Sequence, residues 1–194
     1  SKKVPIDLIE KAIAEIQKAN KPLLLVGGPV LEENNLIKIA LIAEKLGCEL
    51  KTDWFNARLD KGAGRINSIR IPYVVDKAVE ALKNFDTIIT IGARQPVAFF
   101  AYPNKPGILT QDKTNFIDLA GLSDDITSLI NEFSDLANVT SKNPKIISEF
   151  NPPEIPQGPI NTTSLGMALG ALIPEDAIIV DESVTTGREF FYQT

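Results

Sequence analysis

Lys21-Pro22-Leu23-Leu24-Leu25-Val26-Gly27-Gly28-Pro29 is the stretch on which the fold turns. Pro22 to Val26 is apolar without alternation, as expected of a strand buried on both faces in the middle of a parallel sheet. The glycines that follow end the run and let the chain turn sharply. A helical pattern lies on each side. Upstream, Ile6, Ile9, Ala12, Ile13 and Ile16 share one face of a helix from Ile6 to Ala19. Pro5 or Asp7 suits its start, and Asn20 with Lys21-Pro22 stops it. Downstream, Leu36, Ile39, Ala40, Ala43 and Leu46 define a second amphipathic helix from Glu32 to Leu46, with Gly47 placed as its left-handed cap.

The alternation continues outward. Cys48 to Thr52 reads as a strand, followed by a long irregular stretch from Asp53 to Pro72 that contains Gly62-Ala63-Gly64. A helix from Val74 to Phe85 turns Val75, Ala78, Val79 and Leu82 inward. Thr87 to Ile91 is the next strand, closed by Gly92, and Phe116 to Leu119 the fourth; Asp124 to Leu136 is again helical. Strand and helix in turn give an α/β fold: a doubly wound, Rossmann-like parallel sheet from Ser1 to about Val139 with right-handed crossovers. Leu24, Ile39, Val79, Ile89 and Ile117 are expected in its core. Thr140 to Ile160 then carries Pro144, Pro152, Pro153, Pro156 and Pro159, the composition of an extended linker. Beyond it, a helix from Thr162 to Leu172, capped by Thr163 or Ser164, and a strand from Ala177 to Val180 read as the truncated start of a second α/β domain over residues 161–194. There is no internal repeat or low-complexity tract.

Composition narrows the chemistry. With 44% hydrophobic and 23% charged residues the chain can bury a core. A net charge of -5 without a basic run argues against nucleic acid as a partner. The longest apolar runs are far too short to span a bilayer, and no secretion signal opens the sequence. Cys48 is the single cysteine, so no disulfide forms within the chain and a cytoplasmic, reducing compartment is expected. Histidine is absent, which excludes Ser-His-Asp and Cys-His hydrolysis within this chain and effectively excludes zinc sites.

What remains for function is hydroxyls, carboxylates, backbone amides or a bound cofactor. Gly27 and Gly28 after the first strand either cradle a phosphate or simply form a tight turn. Gly92, Ala93 and Arg94 close another strand at a carboxyl edge, where open α/β sheets place ligands; the arginine either meets a phosphate or is a solvated side chain at a loop start. Asp118, read as the end of a strand, either accepts ribose hydroxyls or caps a turn. Phe99-Phe100-Ala101-Tyr102-Pro103 is an aromatic loop suited to stacking or to burial against the domain or a neighbouring subunit. Asp181-Glu182-Ser183-Val184-Thr185-Thr186-Gly187 offers hydroxyls and free amides to a diphosphate, or an N-cap with an acidic first turn. Trp54, Cys48 and Met167 read as packing residues.

Three of these stretches together resemble one family: Lys21 to Gly28, then Ile91-Gly92-Ala93-Arg94-Gln95-Pro96-Val97-Ala98-Phe99-Phe100-Ala101-Tyr102-Pro103, then Val180-Asp181-Glu182-Ser183. The chain is similar in them to the acetolactate synthase and benzoylformate decarboxylase branch of thiamine-diphosphate-dependent enzymes, and most to the acetolactate synthase large-subunit-like group. The resemblance implies that residues 1–139 correspond to the middle of three α/β domains and residues 161–194 to the start of the third, which binds the cofactor. It implies an enzyme acting on 2-oxo acids by decarboxylation or carboligation, with thiamine diphosphate as electron sink, magnesium, and a homodimeric or homotetrameric assembly. Glu182, Ser183, Val184 and Thr185 would lie on the thiamine-diphosphate side. No catalytic residue or metal ligand falls in this stretch, so the chain by itself is expected to be inactive. Gly27, Gly28, Gly92, Ala93, Arg94 and Asp118 match positions that hold FAD or ADP in some relatives. Gln95-Pro96 after Arg94 and Leu119-Ala120 after Asp118 depart from the acidic pattern of FAD binders, which weighs against FAD. The other readings are a nucleotide-binding module and a structural spacer.

Overall fold

The computed structural model describes residues 1–183, 185–187 and 189–193. They divide into two units, Ser1–Asp60 with Arg65–Ile147, and Lys61–Gly64 with Ser148–Thr194.

The first unit is built on five parallel strands: β1 (Pro22–Val26), β2 (Glu49–Thr52), β3 (Ile69–Arg70), β4 (Thr87–Ile91) and β5 (Asn115–Ala120), in the order β3-β2-β1-β4-β5. Leu24 pairs in register with Leu50 on one side and Ile89 on the other. Every residue of β1 and β4 is buried because both faces of the sheet are covered. On one face, Leu24, Val26, Ile89 and Ile91 meet Ile9 and Ile16 of α1 (Ile6–Lys18), Leu36 and Ile39 of α2 (Glu33–Leu46) and Phe133 of α4 (Ile126–Leu136). On the other, Leu23, Leu25 and Ile88 meet Val75, Ala78 and Leu82 of α3 (Val75–Leu82). Each fully buried leucine contributes about 1.5–3 kcal/mol of transfer free energy. Leu24, Ile39 and Ile89 are fully buried, and Val79 and Ile117 are half-buried against the two clusters.

Local chemistry sets the ends of the elements. Gly47 takes the left-handed conformation (φ 72°) after α2 and donates its N–H to Ala43 O. Asp125 caps α4, accepting from Ser128 N at 3.1 Å. The carboxylate of Asp86 accepts from the backbone N–H groups of Asn20 (2.8 Å) and Lys21 (3.2 Å), tying the entry to β1 to the entry to β4.

Several expectations are corrected in detail. The stretch from Asp53 to Pro72 contains a strand, β3, whose two residues pair with Lys51 and Thr52. The strand containing Asp118 runs on to Ala120, so Asp118 lies inside it and not at its end. Ala177–Val180 has no ladder partner among the described residues, and Ile178 is 92% exposed. An apolar run becomes a strand only where a neighbour supplies the hydrogen bonds.

Within the proline-rich stretch, residues 145–147 belong to the first unit. The N–H groups of Lys145 and Ile146 donate to Glu44 Oε1 (2.6 and 3.2 Å), and Ile66 bridges to Ile147. The second unit centres on α5 (Thr162–Leu172), whose cap is Asn161 and not Thr163 or Ser164. Its Oδ1 accepts from Ser164 N (2.9 Å), and Ser164 Oγ accepts from Asn161 N (2.8 Å). A single 3-10 turn at Phe190–Tyr192 runs beside Gly166 and Gly170, and a Cβ on Gly170 would sit 2.4 Å from Gln193 O.

Candidate functional site

Strand order reverses between β1 and β4, and in open parallel sheets a ligand crevice lies outside the carboxyl ends at such a point. The structure brings Gly27, Gly28, Gly92 and Ala93 together there. Gly27 N donates to Ile91 O (3.1 Å) and Gly92 N to Ala120 O (2.8 Å). The two loops are pressed against each other. A Cβ on Gly92, whose φ is +63°, would stand 2.4 Å from Gly27 O, and one on Gly27 would stand 2.8 Å from Gly92 O. Gly28, at φ +54°, lies under the Leu122 side chain, 2.3 Å from where its Cβ would be. The space beside these glycines is thus filled by the protein itself. Their small size is required by backbone packing, whatever else they do. Ala93 is buried as well.

The side chains at the rim are open. Arg94 is exposed, and its charge acts on Asp53, which follows β2 immediately and is half-buried. Burial pushes the Asp53 carboxyl upward, and the Trp54 N–H (2.7 Å) and Arg94 only partly oppose it. Asp53 was not singled out from sequence. An acidic residue just past the second strand is a known ribose-binding position, but recognising it requires knowing that β2 neighbours β1. Asp118 is exposed and accepts from Thr90 Oγ1 at 2.9 Å, so part of its capacity is spent within the sheet.

The loops after β2, β3 and β4 also gather six aromatic rings. Trp54 and Tyr73 lie 5.2 Å apart, Phe55 and Phe99 5.0 Å, Phe99 and Phe100 4.6 Å, and Phe100 and Tyr102 6.0 Å. The aromatic loop at Phe99–Tyr102 is one edge of this cluster. Trp54 is half-buried in it, Cys48 is buried in the core and Met167 is half-buried.

Of the expected thiamine-diphosphate side, Glu182, Ser183 and Thr185 are exposed, and Val184 lies outside the described residues. Ser183 donates through both its N–H and its Oγ to Asp181 Oδ1 (2.9 and 2.5 Å). The Ser183 hydroxyl proton is thus committed to Asp181, and Glu182 beside it adds a second carboxylate. No group of three metal-ligating side chains occurs among the described residues. A diphosphate carries charge that such a segment repels, so these residues do not by themselves make a complete site for it. No helix among the described residues is long and apolar enough to cross a membrane.

No family model matches the chain. It is 30% identical over 187 residues, 94% of its length, to the Mycobacterium tuberculosis protein named "Putative acetolactate synthase large subunit IlvX". By fold it is similar to the thiamine diphosphate-dependent 4-hydroxybenzoylformate decarboxylase of Rhodococcus jostii RHA1 (TM-score 0.72, 20% identity, all of this chain and 39% of the other). It is also similar to the benzoylformate decarboxylase of Polynucleobacter necessarius (TM-score 0.63, 16% identity, 91% of this chain and 36% of the other). The chain spans 35% of the length of the curated relative. The chain is thus similar in sequence, across 94% of its residues, to a protein named as a putative acetolactate synthase large subunit, and it shares the fold of part of a thiamine diphosphate-dependent decarboxylase.

Proposed function

We propose that the chain is part of a thiamine-diphosphate-dependent enzyme that breaks or joins carbon bonds beside the carbonyl of a 2-oxo acid. The observation that carries this reading is the sequence likeness, across 94% of the chain, to a protein named as a putative acetolactate synthase large subunit. Residues 1–139 would be the middle domain and residues 161–194 the opening of the cofactor-binding domain. When bound, thiamine diphosphate supplies an electron sink for the carbanion left at the carbonyl carbon. This chain's own contribution would be positional: Thr185 would offer its hydroxyl on the diphosphate side, beside Ser183, which Asp181 holds, and magnesium would complete the site. The reading also carries assembly from like subunits and a cytoplasmic location.

The experiment is to express the whole reading frame, saturate it with thiamine diphosphate and magnesium, and follow consumption of pyruvate and benzoylformate. Turnover of either supports the proposal; a protein that binds the cofactor and consumes neither, alone or paired with a second 2-oxo acid, overturns it. The 194-residue chain alone, titrated by calorimetry, is expected to show no saturable magnesium-dependent binding of the cofactor.

A second reading, nucleotide binding by the first unit, is favoured by one feature: Arg94 and Asp53 stand exposed and half-buried past β4 and β2, opposite in charge and flanked by aromatic rings.

A further inference from the structure

Glu44 lies in the last turn of α2, where a negative charge opposes the helix dipole. A carboxylate there weakens the helix unless donors from outside it meet the charge. Its Oε1 accepts the backbone N–H groups of Lys145 (2.6 Å) and Ile146 (3.2 Å), 101 and 102 residues further along the chain. Both bonds are charge-assisted and therefore stronger than their neutral counterparts.

From there the chain runs antiparallel beside the segment that leads into β3. Asn67 N donates to Ile146 O (3.0 Å), Ile147 bridges Ile66, and Gly64 N donates to Ser148 O (2.9 Å). Exposure alternates as in an edge strand: Pro144, Ile146 and Ser148 are half-buried, while Lys145, Ile147 and Glu149 are exposed. Residues 145–148 are thus a strap, held by backbone bonds and one carboxylate rather than by a core of their own. Ile66, which pairs with Ile147, is 3% exposed within the main core, whereas no strap residue is fully buried. A segment with little apolar burial and a solvent-facing ladder opens far more easily than the sheet unfolds.

We infer that Glu44 is the latch of this strap, and that the strap opens while the sheet stays folded. One oxygen takes both N–H groups, so a single rotation of the Glu44 side chain releases both bonds together. With the strap latched, the free connection begins at Ser148. With it released, the connection begins at Thr140, because Val139 packs against the core and residues 141–143 are exposed. Opening therefore adds up to about 25 Å of reach, at the extended length of a residue. The Glu44 carboxylate decides which of the two lengths the chain holds. This inference is independent of the reaction proposed above.

The test is limited trypsin digestion of the folded 194-residue chain, with the cut sites identified by mass spectrometry. Cleavage of the Lys145-Ile146 bond needs the strap open, so its rate reports the open population. In Glu44→Ala this cut should come about tenfold faster or more. The Lys113-Thr114 bond, at an exposed lysine of the same unit, should be cut as before. Glu44→Gln keeps an oxygen acceptor without the charge and should fall between the two. Amide exchange on the unsubstituted chain gives a reading free of any variant. There the Lys145 and Ile146 N–H groups should exchange more slowly than that of Phe150, which is 83% exposed, and faster than that of Leu24 in β1. An unchanged rate at Lys145-Ile146 in Glu44→Ala overturns the inference. So does an equal rise at both bonds, which would make Glu44 a support of the whole unit. Exchange of Lys145 and Ile146 as fast as Phe150, or only together with Leu24, overturns it as well.

Discussion

Replacing Gly92 by alanine tests whether the glycines at the carboxyl ends of β1 and β4 are there for packing. The substitution has two costs. Alanine at φ +63° enters the left-handed region, at about 1–2 kcal/mol. Its Cβ would also stand 2.4 Å from Gly27 O and 3.2 Å from Gly27 C, both backbone atoms that cannot rotate away. Forcing the two loops apart adds about 1–3 kcal/mol, the usual cost of overpacking. Gly47→Ala is the matched control, because Gly47 has φ +72° and nothing within 4 Å of the Cβ position. It should lose only the conformational part. The difference between the variants, about 1–3 kcal/mol, is the close approach alone. With an m-value of about 2 kcal/mol/M it separates their urea midpoints by roughly 0.5–1.5 M. Trp54 emission follows unfolding of the first unit, which contains both glycines. Equal midpoints with equal slopes would refute the packing argument and return these glycines to a ligand-binding role.

Three further outcomes follow from the same structure. Burial pushes the Cys48 thiol up to about 12, so the folded chain should resist iodoacetamide at pH 8 and react readily in urea; fast alkylation of native protein would show that the site is open. Asp86 is acted on by burial, which raises its carboxyl pKa, and by the Asn20 and Lys21 N–H groups, which outweigh it and hold the carboxyl below its ordinary 3.8. The stability it contributes is present above that ordinary value and lost as pH falls through the lower folded one. Asp86→Asn should therefore lower the urea midpoint at pH 7, and the gap should close below about pH 4; a gap independent of pH would contradict this. Among ADP, FAD and coenzyme A, any that raises the melting temperature should bind about 1–3 kcal/mol more weakly to Arg94→Ala, and undiminished binding would place the site elsewhere.

What the sequence could show, and what it could not, follows from how far each signal reaches. Pro22–Val26 was legible because a strand buried on both faces is apolar at every position, and Thr87–Ile91 because its three isoleucines and two β-branched threonines suit a buried strand, signals carried by five adjacent residues. Gly47 was legible as a cap because a helix end and a left-handed glycine are neighbours in the chain. Ile69–Arg70 was not: two residues have no period, and their strand character comes from Lys51 and Thr52. Ala177–Val180 shows the same rule from the other side, an apolar run that pairs with no strand among the described residues. The site follows this division. Gly27, Gly28 and Gly92 could be found as glycines at strand ends, but whether they make room for a phosphate or for each other depends on a contact between loops 65 residues apart (92 against 27). Asp53 escaped notice because its place beside β1 is a fact of strand order. The aromatic surface was half visible: Phe99–Tyr102 stands out as a run, while Trp54, Phe55 and Tyr73 join it only when β2 and β3 lie next to β1 and β4. What the sequence leaves open here is decided by which strand ends come to lie side by side.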